Sequence, residues 1–144
     1  MRNEVLKERV TLAFSELRSQ GFIAKQAFMC CRSCAGYAIA EQVKAMTSAR
    51  RAKLKGAVTY CKQDAEIFQE SRRWRPQENP VLYIGYGPVE LHGIGEFGLC
   101  SKECGEALRA ALEGAQLEVI WDGDPATRIA CRVPAPTPLA QEGL

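Results

Sequence analysis

Two hydrophobic periods alternate along this chain, and that alternation restricts its fold more than any other feature. Leu6, Val10, Ala13 and Leu17 recur at steps of four, three and four, the spacing of an amphipathic helix, and Gly21 follows as a stop. Residues 22–28 then read as a strand. Ser33 is placed as the N-cap of a helix over 34–47 that carries Tyr37, Ile39, Val43 and Met46. A short strand over 57–61 leads into a capped helix start at 63–68, a loop over 72–80, and a strand over 81–86 that Gly85, Gly87 and Pro88 bring to an end. A helix over 95–113 comes next, stopped by Gly114. Leu117, Val119 and Trp121 alternate on one strand and Ile129, Cys131 and Val133 on another, with Asp122-Gly123-Asp124-Pro125 as the turn between them. The order predicts an α/β fold bordering on α+β, with a mixed sheet of about five strands, helices packed on it and a closing β-hairpin.

Residues 1–133 are expected to form one globular domain, and the proline-rich stretch 134–144 a disordered tail. The content of 47% hydrophobic and 25% charged residues is ordinary for a globular chain, and the net charge of +2 calls for neither an acidic partner nor a membrane surface. No segment approaches the roughly 18 consecutive apolar residues of a membrane span, and the charged start does not read as a signal peptide. The expected location is the cytoplasm, where the seven cysteines would be reduced, and an odd count argues against a disulfide framework.

Chemistry is concentrated in Phe28-Met29-Cys30-Cys31-Arg32-Ser33-Cys34, where three thiols fall within five residues. The C-x-x-C pair Cys31/Cys34 and the overlapping pair Cys30/Cys34 both allow two sulfurs to converge on one metal ion or to form a disulfide. Neighbouring side chains of a strand point to opposite faces, so Cys30 and Cys31 can share a ligand only where the strand has ended.

Several segments, in order, carry a resemblance: the cysteine run just quoted, Tyr60-Cys61-Lys62-Gln63-Asp64-Ala65-Glu66, Leu82-Tyr83-Ile84-Gly85-Tyr86-Gly87, Ile94-Gly95, and Leu117-Glu118-Val119-Ile120-Trp121-Asp122-Gly123 followed by Arg128-Ile129. Together they resemble a bacterial family of uncharacterised proteins, a domain of unknown function whose members show F-x-C-C-x-x-C-G, Y-H-x-Q-D-T-E, L-Y-L-x-Y-G and W-D-G-x-x-x-x-R-I. The likeness spans most of residues 10–133 and implies no particular activity. Two positions depart from the pattern. Cys61 stands where relatives show His, an exchange that keeps metal-ligand character, and Ala35 stands where they show Gly.

The reading is a binding or structural domain of unknown activity; its metal form takes Cys31, Cys34 and Cys61 as zinc ligands, with Cys30 able to replace Cys31 and with Cys100, Cys104, His92 or water as the fourth ligand, and its plain form has one cysteine of the cluster in the core and the others as reduced, unliganded thiols. Gln63, Asp64 and Glu66 form a polar cluster next to that site, in which Asp64 serves as an N-cap or orients a ligand. The rival reading is a thiol redox protein using Cys31 and Cys34 at a helix start, where the dipole lowers a thiol pKa. A third is a nucleic-acid surface built from Lys44, Arg50, Arg51, Lys53 and Lys55 with Arg72, Arg73, Arg75 and Trp74, which the near-neutral total charge disfavours. Cys100, Cys104 and Cys131 are expected to be core residues, Asp122 is expected to pair with Arg128 across the hairpin, and Gly93-Ile94-Gly95-Glu96-Phe97-Gly98 is read as turn geometry rather than a nucleotide fingerprint.

Overall fold

The computed structural model describes residues 2–68 and 79–134, and residues 72–78 of the expected loop over 72–80 and the tail beyond 134 fall outside them. Within the described residues the fold is mixed α/β, as its sequence implies: a five-stranded sheet of order β1-β2-β3-β7-β6, four helices and a separate two-stranded hairpin. The strands are β1 (Phe22–Lys25), β2 (Gly56–Thr59), β3 (Leu82–Gly87), β6 (Glu118–Ile120) and β7 (Ile129–Arg132). Only β1 and β2 run parallel, and every other neighbouring pair is antiparallel. A parallel pair needs a crossover, which is supplied here by α2 (Arg32–Lys44) and α3 (Ser48–Lys53).

The strand period of two sorts side chains to the two faces of the sheet. Phe22 and Ala24 of β1, Val58 of β2, Leu82 and Ile84 of β3, and Ile129 and Cys131 of β7 meet α1 (Arg2–Gln20) and α4 (Ser101–Gly114) in the larger core. The helical stripe Leu6, Val10, Ala13, Leu17, with Phe14 added, is buried as its spacing requires. Ile23 points the other way and joins Ile39 and Val43 of α2, Leu54, and Val89 and Leu91 in a smaller second core. Val89 and Leu91 belong to β4 (Val89–Leu91), which pairs with β5 (Gly95–Phe97) as a hairpin laid over this face.

That hairpin corrects the expected helix over 95–113, which begins only at Ser101 with Cys100 as its N-cap. Three glycines in six residues oppose a helix, and the buried stripe Cys104, Leu108, Ala111, Leu112 starts past them. Gly98 has φ +121°, and a Cβ there would lie 2.8 Å from the Lys55 carbonyl oxygen, so the position requires glycine for close backbone approach rather than for a phosphate. The G-x-G-x-x-G spacing is therefore a product of the β4–β5 turn and this approach.

Two further boundaries differ from the sequence reading. The N-cap of α2 is Cys31 rather than Ser33, which lies inside the first turn. β1 stops at Lys25, three residues before its expected end, because Ala27 (φ 48°) and Met29 (φ 63°) turn the chain through left-handed conformations.

Candidate metal centre

The early end of β1 creates the cysteine site. The loop that follows is fixed from outside by two backbone bonds, Phe28 N–H to the Tyr60 carbonyl at 3.0 Å and Lys62 N–H to the Met29 carbonyl at 2.9 Å. Two non-glycine residues at positive φ are an unfavourable local choice that such anchoring offsets. With the strand pleat gone, Cys30 and Cys31 no longer point to opposite sides. Cys31 caps α2 and Cys34 sits in its first turn, so the helix supplies the second half of the convergence.

The sulfurs of Cys30, Cys31 and Cys34 all lie within 4.8 Å of one another. Cys30 Sγ is 3.5 Å from Cys34 Sγ and 3.9 Å from Cys31 Sγ. A zinc–sulfur bond of about 2.3 Å in a tetrahedron puts neighbouring sulfurs about 3.8 Å apart. The trio therefore has nearly the spacing a tetrahedral thiolate site needs, and all three thiols are free. Cys30 is exposed and the other two half-buried, so an ion can reach them.

The three thiols are not equivalent as acids. The Cys34 backbone N–H, and then the neighbouring Cys34 and Cys30 thiols, lower the Cys31 pKa, although its sulfur stops short of a full capping hydrogen bond. Cys34 is pushed up to about 11, first by its interaction with Cys30 and then by that with Cys31. Cys31 thus gives up its proton ahead of Cys34, and an ion must displace the proton held at Cys34.

Cys61 stands outside this trio. It is 1% exposed, and burial raises its pKa, with the negative charges of Asp64 and Cys31 adding to the rise. β2 does lie beside β1, as the metal reading requires, but Cys61 lies just past its end among core residues. Among the described residues, no other His, Cys, Asp or Glu forms a metal-holding group. His92 is exposed in the β4–β5 turn and Cys104 is buried with its thiol raised to about 11, as is Cys131, raised to about 12, both by burial. Cys104 and Cys131 are core residues as expected. Cys100 is not: it is exposed, and its Sγ lies 3.1 Å from Glu103 Oε1.

Of the polar cluster, Gln63 and Glu66 face solvent. Asp64 does something its position in the sequence does not announce. One carboxylate oxygen turns back to accept the Cys61 N–H at 3.1 Å, and the other accepts Arg128 Nη1 at 3.0 Å. The expected Asp122–Arg128 pair is thereby corrected: Asp122 accepts the Asp124 N–H within the turn, leaving Arg128 to reach Asp64 and to stack over Tyr83 at 5.3 Å. The turn is pinned by Tyr86, whose hydroxyl donates to the Thr127 carbonyl at 2.7 Å, and by Trp121 Nε1, which donates to the Asp124 carbonyl at 3.0 Å. A tie across 64 positions has no local sequence signal.

These ties join the segments that carry the sequence resemblance, and the comparison with family models agrees. The domain of unknown function DUF6891 matches residues 3–134. The chain belongs to the DUF6891 family. Neither a curated protein nor a solved structure matches it. The DUF6891 match covers the cysteine trio, Asp64 and Arg128 alike. Of the basic residues weighed for nucleic acid, Arg51 packs over the Phe97 ring at 5.6 Å, while Arg72, Arg73, Trp74 and Arg75 lie outside the described residues. Among the described residues no helix is long and apolar enough to cross a membrane.

Proposed function

We propose that this DUF6891 domain is a thiolate metal-binding protein that holds one soft divalent ion, zinc by class, on Cys30, Cys31 and Cys34. The observation that carries the reading is the sulfur spacing of 3.5 and 3.9 Å around Cys30, with all three sulfurs within 4.8 Å of one another, which is close to that of a tetrahedral thiolate site. Three protein ligands leave one position for an exogenous ligand, the arrangement of sites that do more than hold a fold together. Cys61, with its raised pKa and its place among core residues, is assigned no ligand role. Seven free cysteines support a reducing compartment, the cytoplasm, as the working location.

The rival reading also has an observation behind it: Cys31 is a thiol of lowered pKa at a helix N-terminus, three residues from Cys34. One experiment separates the two. Protein purified without a tag is exposed to zinc, washed, and assayed for bound metal and for thiols in denaturant. Bound zinc with all thiols free supports the metal reading. Two thiols missing, recovered by a dithiol reductant, with no zinc bound, supports the redox reading instead. The Cys61→Ser variant serves as the control, because it should take up zinc like the parent.

A further inference from the structure

Beside the cysteine trio runs a cleft of about 290 Å³ to which the metal reading gives no role. Its walls are one side of α2, with Arg32, Gly36, Ile39 and Ala40, the β2–β3 part of the sheet, and the start of β4. Arg32 directly follows Cys31, so the cleft begins where the trio ends. At this small volume it suits a ligand of metabolite size.

Three observations bear on what it can hold. First, Arg128 lines it, and its guanidinium is held in place from two sides, by the Asp64 carboxylate at 3.0 Å and by the Tyr83 ring at 5.3 Å. Asp64 takes a single guanidinium nitrogen, Nη1. A guanidinium has five N–H donors, so among the described residues a fixed fork remains with donors unspent, the group that recognises planar oxyanions. Second, Arg32 adds another cation in the first turn of α2, where the helix dipole opposes a positive charge and local helix physics gives no reason for one. Third, the cleft is kept open by small residues. Gly36 sits inside α2, where alanine is preferred, yet a Cβ there would meet nothing within 4 Å. Packing does not demand the glycine. One acid, Glu90, lines the cleft as well and can accept a hydrogen bond from a ligand donor.

We infer that this cleft binds a small organic oxyanion, a carboxylate or a phosphate monoester, with Arg128 as the anchor, Arg32 as the second cation and Gly36 as the opening. The inference stands independently of the metal. Arg128 and Asp64 are joined whether or not the thiols carry an ion.

The test titrates the full chain, ¹⁵N-labelled, with benzoate and separately with phenyl phosphate, and follows the Gly36, Gly85 and Gly87 amides and the Arg128 Nε–H. The expected result is saturable binding of at least one probe, with shifts centred on these groups, and the two arms show which oxyanion head is preferred. Arg128→Lys keeps the charge but loses the fork and should weaken binding at least about tenfold. Gly36→Leu fills the opening from an exposed helix position and should do the same without touching the Asp64 tie, which guards against a folding defect in the arginine variant. The Cys30→Ser/Cys31→Ser/Cys34→Ser variant should bind the probe like the parent, so a failed metal reading leaves this result intact. Absence of saturable binding by both probes, or binding that neither Arg128→Lys nor Gly36→Leu weakens, overturns the inference.

Discussion

Asp64→Ala is the substitution that most sharply separates a structural tie from a decorative one. It removes two interactions at once: the acceptor of the part-buried Cys61 N–H at 3.1 Å and the partner of Arg128 at 3.0 Å. The Asp64 side chain is 16% exposed and that of Arg128 28%, so the pair is shielded but not sealed from water. A hydrogen bond to a charged group contributes about 1.5–3 kcal/mol, and the lower end applies here because the freed guanidinium can recover some hydration. The orphaned Cys61 N–H adds roughly 0.5–1.5 kcal/mol. The expected loss is about 2–3 kcal/mol, or a fall in Tm of roughly 5–10 °C for a domain of this size. Urea denaturation of metal-free protein under reducing conditions measures it. Asp64→Asn should lose about half as much, since an amide oxygen can still accept one of the two bonds. A double-mutant cycle with Arg128→Met should return a coupling of about 1 kcal/mol or more. If Asp64→Ala unfolds within about 0.5 kcal/mol of the parent, the reasoning fails, because surface substitutions without a structural role fall in that range.

Other consequences follow from the same physical features. A Cβ at Gly105 would lie 2.8 Å from Trp121 and 2.9 Å from Tyr86, so Gly105→Ala should cost about 1–3 kcal/mol by overpacking and disturb the turn that presents Arg128, read by urea melts. Gly36→Ala should do the opposite and stabilise by roughly 0.5–1 kcal/mol, since its Cβ meets nothing within 4 Å. A thiol reagent applied to the native, metal-free protein should modify the accessible Cys30, Cys31 and Cys100 quickly and Cys34 more slowly, because its thiol is held up to about 11, while the buried Cys61, Cys104 and Cys131 react only on unfolding. Burial holds Cys104 and Cys131 at about 11 and about 12 against an ordinary thiol value of 9.0, so the folded state keeps protons that the unfolded state gives up. Stability from these thiols is therefore complete below pH 9 and falls as pH rises from there toward 11 and 12, which melts across that window will show.

Much of this fold was legible because its core follows periodicity closely. Leu6, Val10, Ala13 and Leu17 announce α1, and the alternation around Val119 and Cys131 announces the β6–β7 hairpin, in which those two residues are paired in register. The region from Val89 to Phe97 was not legible, since two three-residue strands with glycines between them are too short for a period of two to outweigh an apparent helix. The cysteine trio was half legible. Its spacing in sequence proposes a site, but whether Cys30 can join depends on where β1 ends, and that is decided by Ala27 and Met29 adopting positive φ. Neither residue type signals such a turn. The hairpin reading pairs Arg128 with Asp122, because local pairing is all a sequence offers; its partner, Asp64, comes from across the fold. The resemblance to a domain of unknown function spans most of residues 10–133, and the DUF6891 match covers 3–134, so membership of such a family was legible in the sequence.

The central claim is that Cys30, Cys31 and Cys34 together hold a metal ion. The direct measurement is elemental analysis of tag-free protein after zinc loading and washing, at pH 8 and pH 6, for the parent and for Cys30→Ser/Cys31→Ser/Cys34→Ser. Because the ion must displace protons from these thiols, including the one Cys34 holds up to about 11, affinity should be greater at the higher pH. The account predicts about one zinc per parent chain at pH 8, less at pH 6, and none in the triple variant. Parent protein that retains no zinc, or a triple variant that retains as much as the parent, would contradict it.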